Sequence, residues 1–278
     1  MDRNIEIDIL LSTYNGGKYL DEQLNSILSQ TNSQWKIIIR DDGSSDNTLS
    51  IIDCYVRNYP DKFFLLKDLG GNLGSTLSFS QLIENCNGDY IMLCDQDDVW
   101  LDNKIEITLN EMSNLEMNFG KIPLMVFTDL KVVDQNLAIL SDSMIKSQKL
   151  DVSVINKPVK LAALNVVAGC TIMINRAAVK CVLPLTSKNI IHDQWMAVNI
   201  SKYGKISYVS QPTILYRQHS NNVVGSNKIA FQYFYNKLKS PLKQMRIYSD
   251  LLSQLSFKIS SIEFIMYKVF FTFKRMLK

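Results

Sequence analysis

Asp95-Gln96-Asp97-Asp98 follows directly on the apolar run Tyr90-Ile91-Met92-Leu93-Cys94. Side chains alternate along an extended strand, so Asp95 and Asp97 are expected on one side. Two carboxylates so placed can hold a hard divalent ion through oxygen, leaving its other positions to phosphate and water. The competing reading is a solvated acidic turn that caps the helix after Asp102. The buried strand before the cluster, and the polar loops expected opposite it, favour the ion. Asp41-Asp42 also ends an apolar strand. One of that pair suits an Asp-rich turn and helix cap, and a carboxylate fixed at a strand end can accept the N3–H of a uracil or thymine. His192-Asp193-Gln194-Trp195 precedes a helical run. A carboxylate beside a sugar hydroxyl can act as general base; equally, Asp193 can cap the helix with Trp195 in the core, and spacing does not choose. Tyr216-Arg217-Gln218-His219-Ser220-Asn221-Asn222 holds the second of two histidines. There His219 is a candidate for a metal or a diphosphate oxygen, and Arg217 for a bidentate grip on phosphate. An ordinary polar surface loop is the alternative.

These groups need a frame, and the first half of the chain supplies one by alternating strand and helix signals. Residues 7–12 form a short apolar run ending in the turn-forming Thr13-Tyr14-Asn15-Gly16-Gly17. Tyr19, Leu20, Leu24, Ile27 and Leu28 recur at helical spacing. Residues 35–40 read as a second strand, and the Ser and Asp residues at 41–46 are natural caps for a helix through Ile51, Ile52 and Tyr55. Residues 63–66, 77–83 and 90–94 continue as strand, helix and strand, with Gly70-Gly71-Asn72-Leu73-Gly74 before the helix. Strands separated by helices of this length imply a mainly parallel sheet with helices on both faces. Ligands of such sheets bind beyond the carboxyl ends of the strands, so the loops at 13–17, 41–46 and 95–98 should converge there. The second half is less regular. Residues 124–128, 170–174 and 206–209 look like strands, 197–200 continue a helix after His192-Asp193, and 136–165 read as an insertion or irregular helices.

Composition narrows the class. With 278 residues, 46% of them hydrophobic, the chain can bury a sizeable core. Its five cysteines are scattered, without the close pairs of a zinc knuckle or redox motif, and residues 1–6 lack a basic region followed by an apolar core. A reduced, cytoplasmic chain is the simplest expectation. No G-x-x-x-x-G-K-S/T, G-x-G-x-x-G or G-x-S-x-G occurs, which weakens the P-loop, dinucleotide-binding and serine-hydrolase readings.

In order and separation, the segments Ser12-Thr13-Tyr14-Asn15-Gly16, Asp41-Asp42-Gly43-Ser44, Asp95-Gln96-Asp97-Asp98-Val99-Trp100, His192-Asp193-Gln194-Trp195 and Arg217 to Asn222 resemble the inverting family-2 glycosyltransferases of the GT-A fold. The resemblance covers roughly residues 7–225. Through Gly74-Ser75-Thr76-Leu77-Ser78-Phe79, the 169–176 segment and Leu215 to His219, it looks most like bacterial rhamnosyltransferases of surface-polysaccharide assembly. The resemblance implies an α/β, Rossmann-like catalytic domain over 1–227, a nucleotide-sugar donor (dTDP or UDP sugar), Mg2+ or Mn2+, and a lipid-linked glycan acceptor at the inner membrane face. It assigns Ser12, Thr13, Tyr14, Asn15, Asp42, Gly74, Asp95, Gln96 and Arg217 to the nucleotide, with Asp95 near the ribose. Asp97, Asp98 and His219 fall to the metal, and Gly169, Cys170, Thr171, His192 and Trp195 to the sugar and acceptor. Asp193 matches the catalytic base, and Arg217 and His219 a loop closing over the diphosphate. A nucleotidyltransferase would also want paired carboxylates and metal, but the loop after its first strand is usually Gly-rich and basic, which Thr13 to Lys18 satisfies only marginally.

Residues 228–278 differ from the rest. They hold 10 of the 30 Lys and Arg against 2 of the 27 acidic residues, about +8, together with eleven aromatics. Leu255, Ile259, Ile262, Met266, Val269 and Phe273 recur every three or four residues, interrupted by Lys258, Glu263 and Lys268. Those charges argue against a spanning helix and for an amphipathic helix on an anionic membrane surface. The alternatives are packing on the catalytic domain, a homo-oligomer interface, or a non-catalytic membrane scaffold. No recognised nucleic-acid module accompanies the basic residues.

Overall fold

The structure, a computed structural model, describes residues 5–68, 70–219 and 241–277. In β1 (Ile7–Thr13), Ile7, Ile9 and Leu11 face one way and Leu10 the other, and all four are fully buried. A strand apolar on both sides must be covered on both sides, and parallel pairing with crossover helices does this. β1 pairs in parallel with β2 (Trp35–Asp41) and β4 (Tyr90–Cys94), and β2 with β3 (Phe63–Leu65). The crossovers are α1 (Leu20–Leu28), α2 (Thr48–Asn58) and α3 (Ser75–Glu84). Leu20, Leu24 and Ile27 of α1 join Ile52 of α2 in the layer under Ile7, Ile9 and Leu11. Phe79, Leu82 and Ile83 of α3 cover Leu10 on the opposite face. Each such aliphatic or aromatic side chain contributes about 1.5–3 kcal/mol by leaving water.

Beyond β4 the sheet departs from the mainly parallel expectation. β5 (Val99–Trp100) is followed by α4 (Lys104–Phe119), β6 (Leu124–Val133) and β7 (Ile139–Ser141). Next come α5 (Met144–Ser147), α6 (Pro158–Ala163), β8 (Ile172–Asn175), α7 (Val179–Val182), α8 (His192–Tyr203) and β9 (Lys205–Arg217). The strand order is β3-β2-β1-β4-β8-β6-β9-β5, with β7 on the flank of β6. β8 runs antiparallel to both β4 and β6, β6 and β9 are parallel, and β9 is antiparallel to β5. The sheet is therefore mixed: its parallel half carries the first three loops, and its second half turns the end of β9 back toward β5. Residues 136–165, expected to be irregular, hold β7, the short helices α5 and α6, and a 3-10 turn at Val152–Val154.

The C-terminal part forms α9 (Pro241–Gln254) and α10 (Ser261–Leu277), not one helix through 255–273. Leu255 and Ile259 lie between the two helices and are buried, whereas Ile262, Met266, Val269 and Phe273 are exposed. The expected single stripe is thus divided, because the chain turns at 255–260 and presents the opposite side of α10 to the body. Leu251, Phe264 and Phe271 enter the core layer that α6 and α8 share. The expected boundary at 227/228, and Ser220, Asn221 and Asn222, lie outside the described residues.

Candidate active site

The three polar loops after β1, β2 and β4 meet and hold one another. Gln96 accepts the Tyr14 backbone N–H at 2.8 Å and donates its amide to the Tyr14 carbonyl at 3.0 Å, joining the first and third loops. Asn15 donates its N–H to Ser44 Oγ at 2.8 Å and accepts the Ser45 N–H at 2.8 Å, joining the first and second. Gly16 is required by the close fit: a Cβ there would stand 2.3 Å from Gln96 Oε1. Tyr14 itself is 51% exposed, an open ring at the lip of the cleft.

The Asp41-Asp42 pair divides its labour. Asp41 organises the turn, accepting from Thr13 Oγ1 at 2.8 Å, the Ser44 N–H at 2.8 Å and Ser44 Oγ at 2.6 Å. Asp42 is buried and accepts the N–H groups of Leu73 and Gly74 at 2.7 and 2.8 Å, with the Arg40 guanidinium on the same carboxylate. Gly74 has φ 79 and ψ 158, a conformation essentially confined to glycine. Arg40, which the sequence reading passed over, also binds Asp68 and Ser78 Oγ, and Ser12 Oγ donates to the same Ser78 hydroxyl at 2.7 Å. Ser12, Asp42 and Gly74 therefore sit in one largely buried network, beside which the Tyr14 ring is open to solvent.

The acidic cluster is not a continuation of β4. The chain bends at Gln96 and Asp97 before β5, so strand alternation stops at Cys94 and the carboxylates diverge. Asp97 turns outward, and its Oδ2 meets His219 Nε2 at 2.8 Å. Asp98 turns inward and is fully buried, accepting the Arg217 backbone N–H at 3.2 Å and the Cys170 thiol. Asp95 lies between; burial first, then the charges of Asp97 and Asp193, lift its carboxyl to about 7. Asp97 and Asp193 are thus both near enough for their charges to reach Asp95.

Asp95, Asp98 and Cys170 offer donor atoms within 4.8 Å of one another, a second arrangement that could hold a cation. Two facts count against it. Asp98 and Cys170 are 0% and 1% exposed, and the Lys104 ammonium lies behind them, attracted by Cys170, Cys94 and Asp98. Lys104 is itself fully buried, 4.7 Å from the Trp100 ring, and burial lowers its pKa to about 8. A cation is already built in at this depth. Asp97 with His219 is a second, less buried pair able to meet an ion, and Asp98, expected as a ligand, belongs to the inner group with Asp95 and Cys170. Lys104 escaped notice because a single lysine opening a helix reads as surface.

Asp193 is the second residue of α8, at the floor of the cleft. Burial pushes its carboxyl up to about 6, while the N–H groups of Gln194 and Gly169 and the Asn165 amide, 3.1 Å away, pull it back. Asn165 was not singled out from the sequence; nothing local ties it to a residue 28 positions on. Gly169 presses against this corner, since a Cβ would come 2.8 Å from His192 Nε2 and 3.7 Å from Asp193 Cβ. The His192 ring stacks on Phe79 with centroids 4.5 Å apart, and burial lowers its pKa to about 4, so it stays neutral.

Four other expectations change. Arg217 was expected on phosphate, but its side chain is buried beneath the bend. Its Nε donates to the Asp97 carbonyl at 2.9 Å, Nη1 to the Gln135 carbonyl at 2.6 Å, and Nη2 pairs with Glu22. Tyr19 stacks under both Arg217 (4.5 Å) and His219 (5.0 Å), so this end of β9 clasps α1 and the acidic bend. Trp195, two residues beyond Asp193, points about 200° around the helix from it. Its indole donates to the Val182 carbonyl at 2.8 Å inside the core, not to a substrate. The hydroxyl of Thr171 closes its own 3-10 turn on the Ala168 carbonyl, and Cys170 faces Asp98, so of the 169–171 segment Gly169 alone borders Asp193.

A sheet whose parallel half ends in nucleotide-sized polar loops, with an acidic bend beside a carboxylate on a facing helix, defines a GT-A-like glycosyltransferase fold. The chain belongs to glycosyl transferase family 2, which it matches over residues 8–183. It is 30% identical over 243 residues to the dTDP-rhamnosyl transferase RfbG of Shigella flexneri, spanning 82% of this chain and 78% of that relative. Among solved structures, S. aureus TarS 1–349 in complex with UDP-GlcNAc superposes with a TM-score of 0.62 at 18% identity, covering 96% of this chain and 72% of that one. The mannosyltransferase PcManGT of Pyrobaculum calidifontis, in complex with GDP-Man and Mn2+, gives 0.55 at 11% identity over 96% of this chain and 79% of that one. At these identities the two structures establish the fold alone.

Proposed function

We propose that the chain transfers rhamnose from dTDP-rhamnose to a hydroxyl of a growing, lipid-linked surface polysaccharide, with inversion, working peripherally at the inner face of the cell membrane. The observation that carries the chemistry is Asp193: a carboxylate raised to about 6 by burial, held by three N–H donors and facing Asp95 across the cleft. A base in that range is ionised at neutral pH yet still a competent proton acceptor. The likeness to RfbG supports the donor.

In this reading the base and ribose lie along Tyr14, Asp42 and Asp95, and the diphosphate lies toward Asp97 and His219. The Asp97 carboxylate suits Mg2+ or Mn2+, and the imidazole beside it favours Mn2+ of the two; either ion, when bound, would neutralise the departing diphosphate. Asp193 accepts the proton of the acceptor hydroxyl as that oxygen attacks C1 opposite the diphosphate. The new C1–O bond forms as the old one breaks, and the anomeric configuration inverts. Neutral His192 and Gly169 pack closely beside Asp193 and fix its position.

Melting curves with Mg2+ or Mn2+ and a panel of dTDP- and UDP-sugars, followed by product analysis, test the proposal. dTDP-rhamnose should stabilise most, and dTDP should appear only with the metal and an acceptor. Preference for a UDP-hexose would overturn the sugar, and pyrophosphate as product would overturn the reaction class.

A further inference from the structure

α10 is bound to the body by one side and bare on the other. Phe264 and Phe271 are buried beneath it, Lys268 Nζ donates to the Ala163 carbonyl at 2.8 Å, Lys274 pairs with Asp151 at 2.6 Å, and Arg275 Nε donates to the Gln148 carbonyl at 2.9 Å. On the outer side Ile262, Ile265, Met266, Val269, Phe270, Phe273 and Met276 are each 49–73% exposed. They run along fifteen residues, about 21 Å of helix. Soluble surfaces rarely carry so many large apolar side chains side by side unless something covers them.

We infer that this face of α10 docks on an anionic lipid bilayer. The charge around it identifies the partner. α10 lies along α6 and the 148–151 segment, and residues 144–165 and 255–277 together carry eight Lys and Arg against Asp151 and Glu263. Asp151 is already neutralised by Lys274. Exposed Lys146, Lys149, Lys157 and Lys258 lie on the segments beside this helix, against one exposed carboxylate, Glu263, so the surroundings of the stripe are net basic. An amphipathic helix with a basic border suits acidic headgroups, its apolar side chains reaching the acyl boundary. A second copy meeting this face would bring two basic borders together. Ile265 and Phe270 also widen the stripe beyond the two-position seam of a coiled coil. Among the described residues no helix is long and apolar enough to cross a membrane, so the contact is a surface one. This narrows the peripheral-membrane reading to one helix face and is independent of which sugar is transferred.

The test is sedimentation of the full chain with vesicles of phosphatidylcholine alone and of phosphatidylcholine with phosphatidylglycerol. The expected result is binding to the second, weakened by salt. Met266→Glu with Phe273→Glu should reduce it by about tenfold or more per residue, and Lys146→Glu with Lys149→Glu should remove the preference for the anionic vesicles. Both variants are at the surface, and an unchanged melting shift with nucleotide sugar verifies that the donor site survives. Absence of wild-type binding, or equal binding by the Met266 and Phe273 variant, overturns the inference. So does a wild-type dimer in sedimentation velocity that this variant splits, which would assign the face to a second copy. None of these outcomes bears on sugar transfer to a water-soluble acceptor, whose loss would count against the proposed function instead.

Discussion

The two walls of the cleft handle buried carboxylates in different ways. On the donor side, Asp41 and Asp42 are ringed by N–H and hydroxyl donors, several from the backbone of neighbouring loops. On the facing side, Asp193 has three N–H donors as well, but burial wins over them and its carboxyl rises to about 6. The first arrangement spends carboxylates on shape. The second leaves a carboxylate with an appetite for a proton, the property that proton transfer needs. Asp95 is raised further, to about 7, by burial first and then by the charges of Asp97 and Asp193.

Removing the base should break this contrast most severely. Asp193→Asn keeps the size and shape of the side chain but cannot take a proton, and kcat is expected to fall about 10³-fold, with the nucleotide-induced melting shift unchanged. Near-normal turnover would show that the proton goes elsewhere. Next comes the cation behind the acidic bend. Lys104→Met leaves Asp98 and its neighbours without an internal counter-charge and should lower stability by about 3 kcal/mol, read from denaturant melts without metal. A neutral result would mean that Asp98 is protonated in the folded protein. On the donor wall, Gly74→Ala forces a side chain into φ 79, and a loss of about 2 kcal/mol is expected. Weaker donor binding with kcat held would locate the damage in the Asp42 network.

The smallest effect is the sharpest probe. In the proposed mechanism the Asp193 carboxylate is the active form, and its pKa is raised, so activity is expected to be full above about 6 and to fall as pH drops through that value. Asn165→Ala removes one donor to the carboxylate, so the acid limb of the pH–rate profile should move to higher pH. A limb that stays in place would separate Asn165 from the base.

Much of this wall structure was legible in advance. The apolar runs before 13–17, 41–46 and 95–98 located three strand ends, and strand ends in a doubly covered sheet share an edge, so the convergence of the loops followed from pattern, while the Gln96–Tyr14 bonds that join them did not. Asp193 was visible as a candidate base through the family resemblance, since spacing did not choose between that role and a helix cap. What pattern could not show was direction. Alternation put Asp95 and Asp97 on one side, yet the chain bends after Cys94, and Asp97 faces His219 while Asp98 faces inward. Arg217 carried the chemistry of a phosphate ligand, but its guanidinium is buried among the Asp97 and Gln135 carbonyls and Glu22.

By itself the sequence determined the order of elements and the position of each loop along the chain, because both depend on local periodicity and turn chemistry. Only the tertiary structure decided which acid faces the cleft, that Lys104 stands behind Asp98, and which side of α10 is left bare. Those outcomes depend on partners far away in the chain, 122 residues for Asp97 and His219 and 105 for Lys268 and Ala163. A buried polar group points where its hydrogen-bond partner is, and the location of that partner is a property of the packed fold.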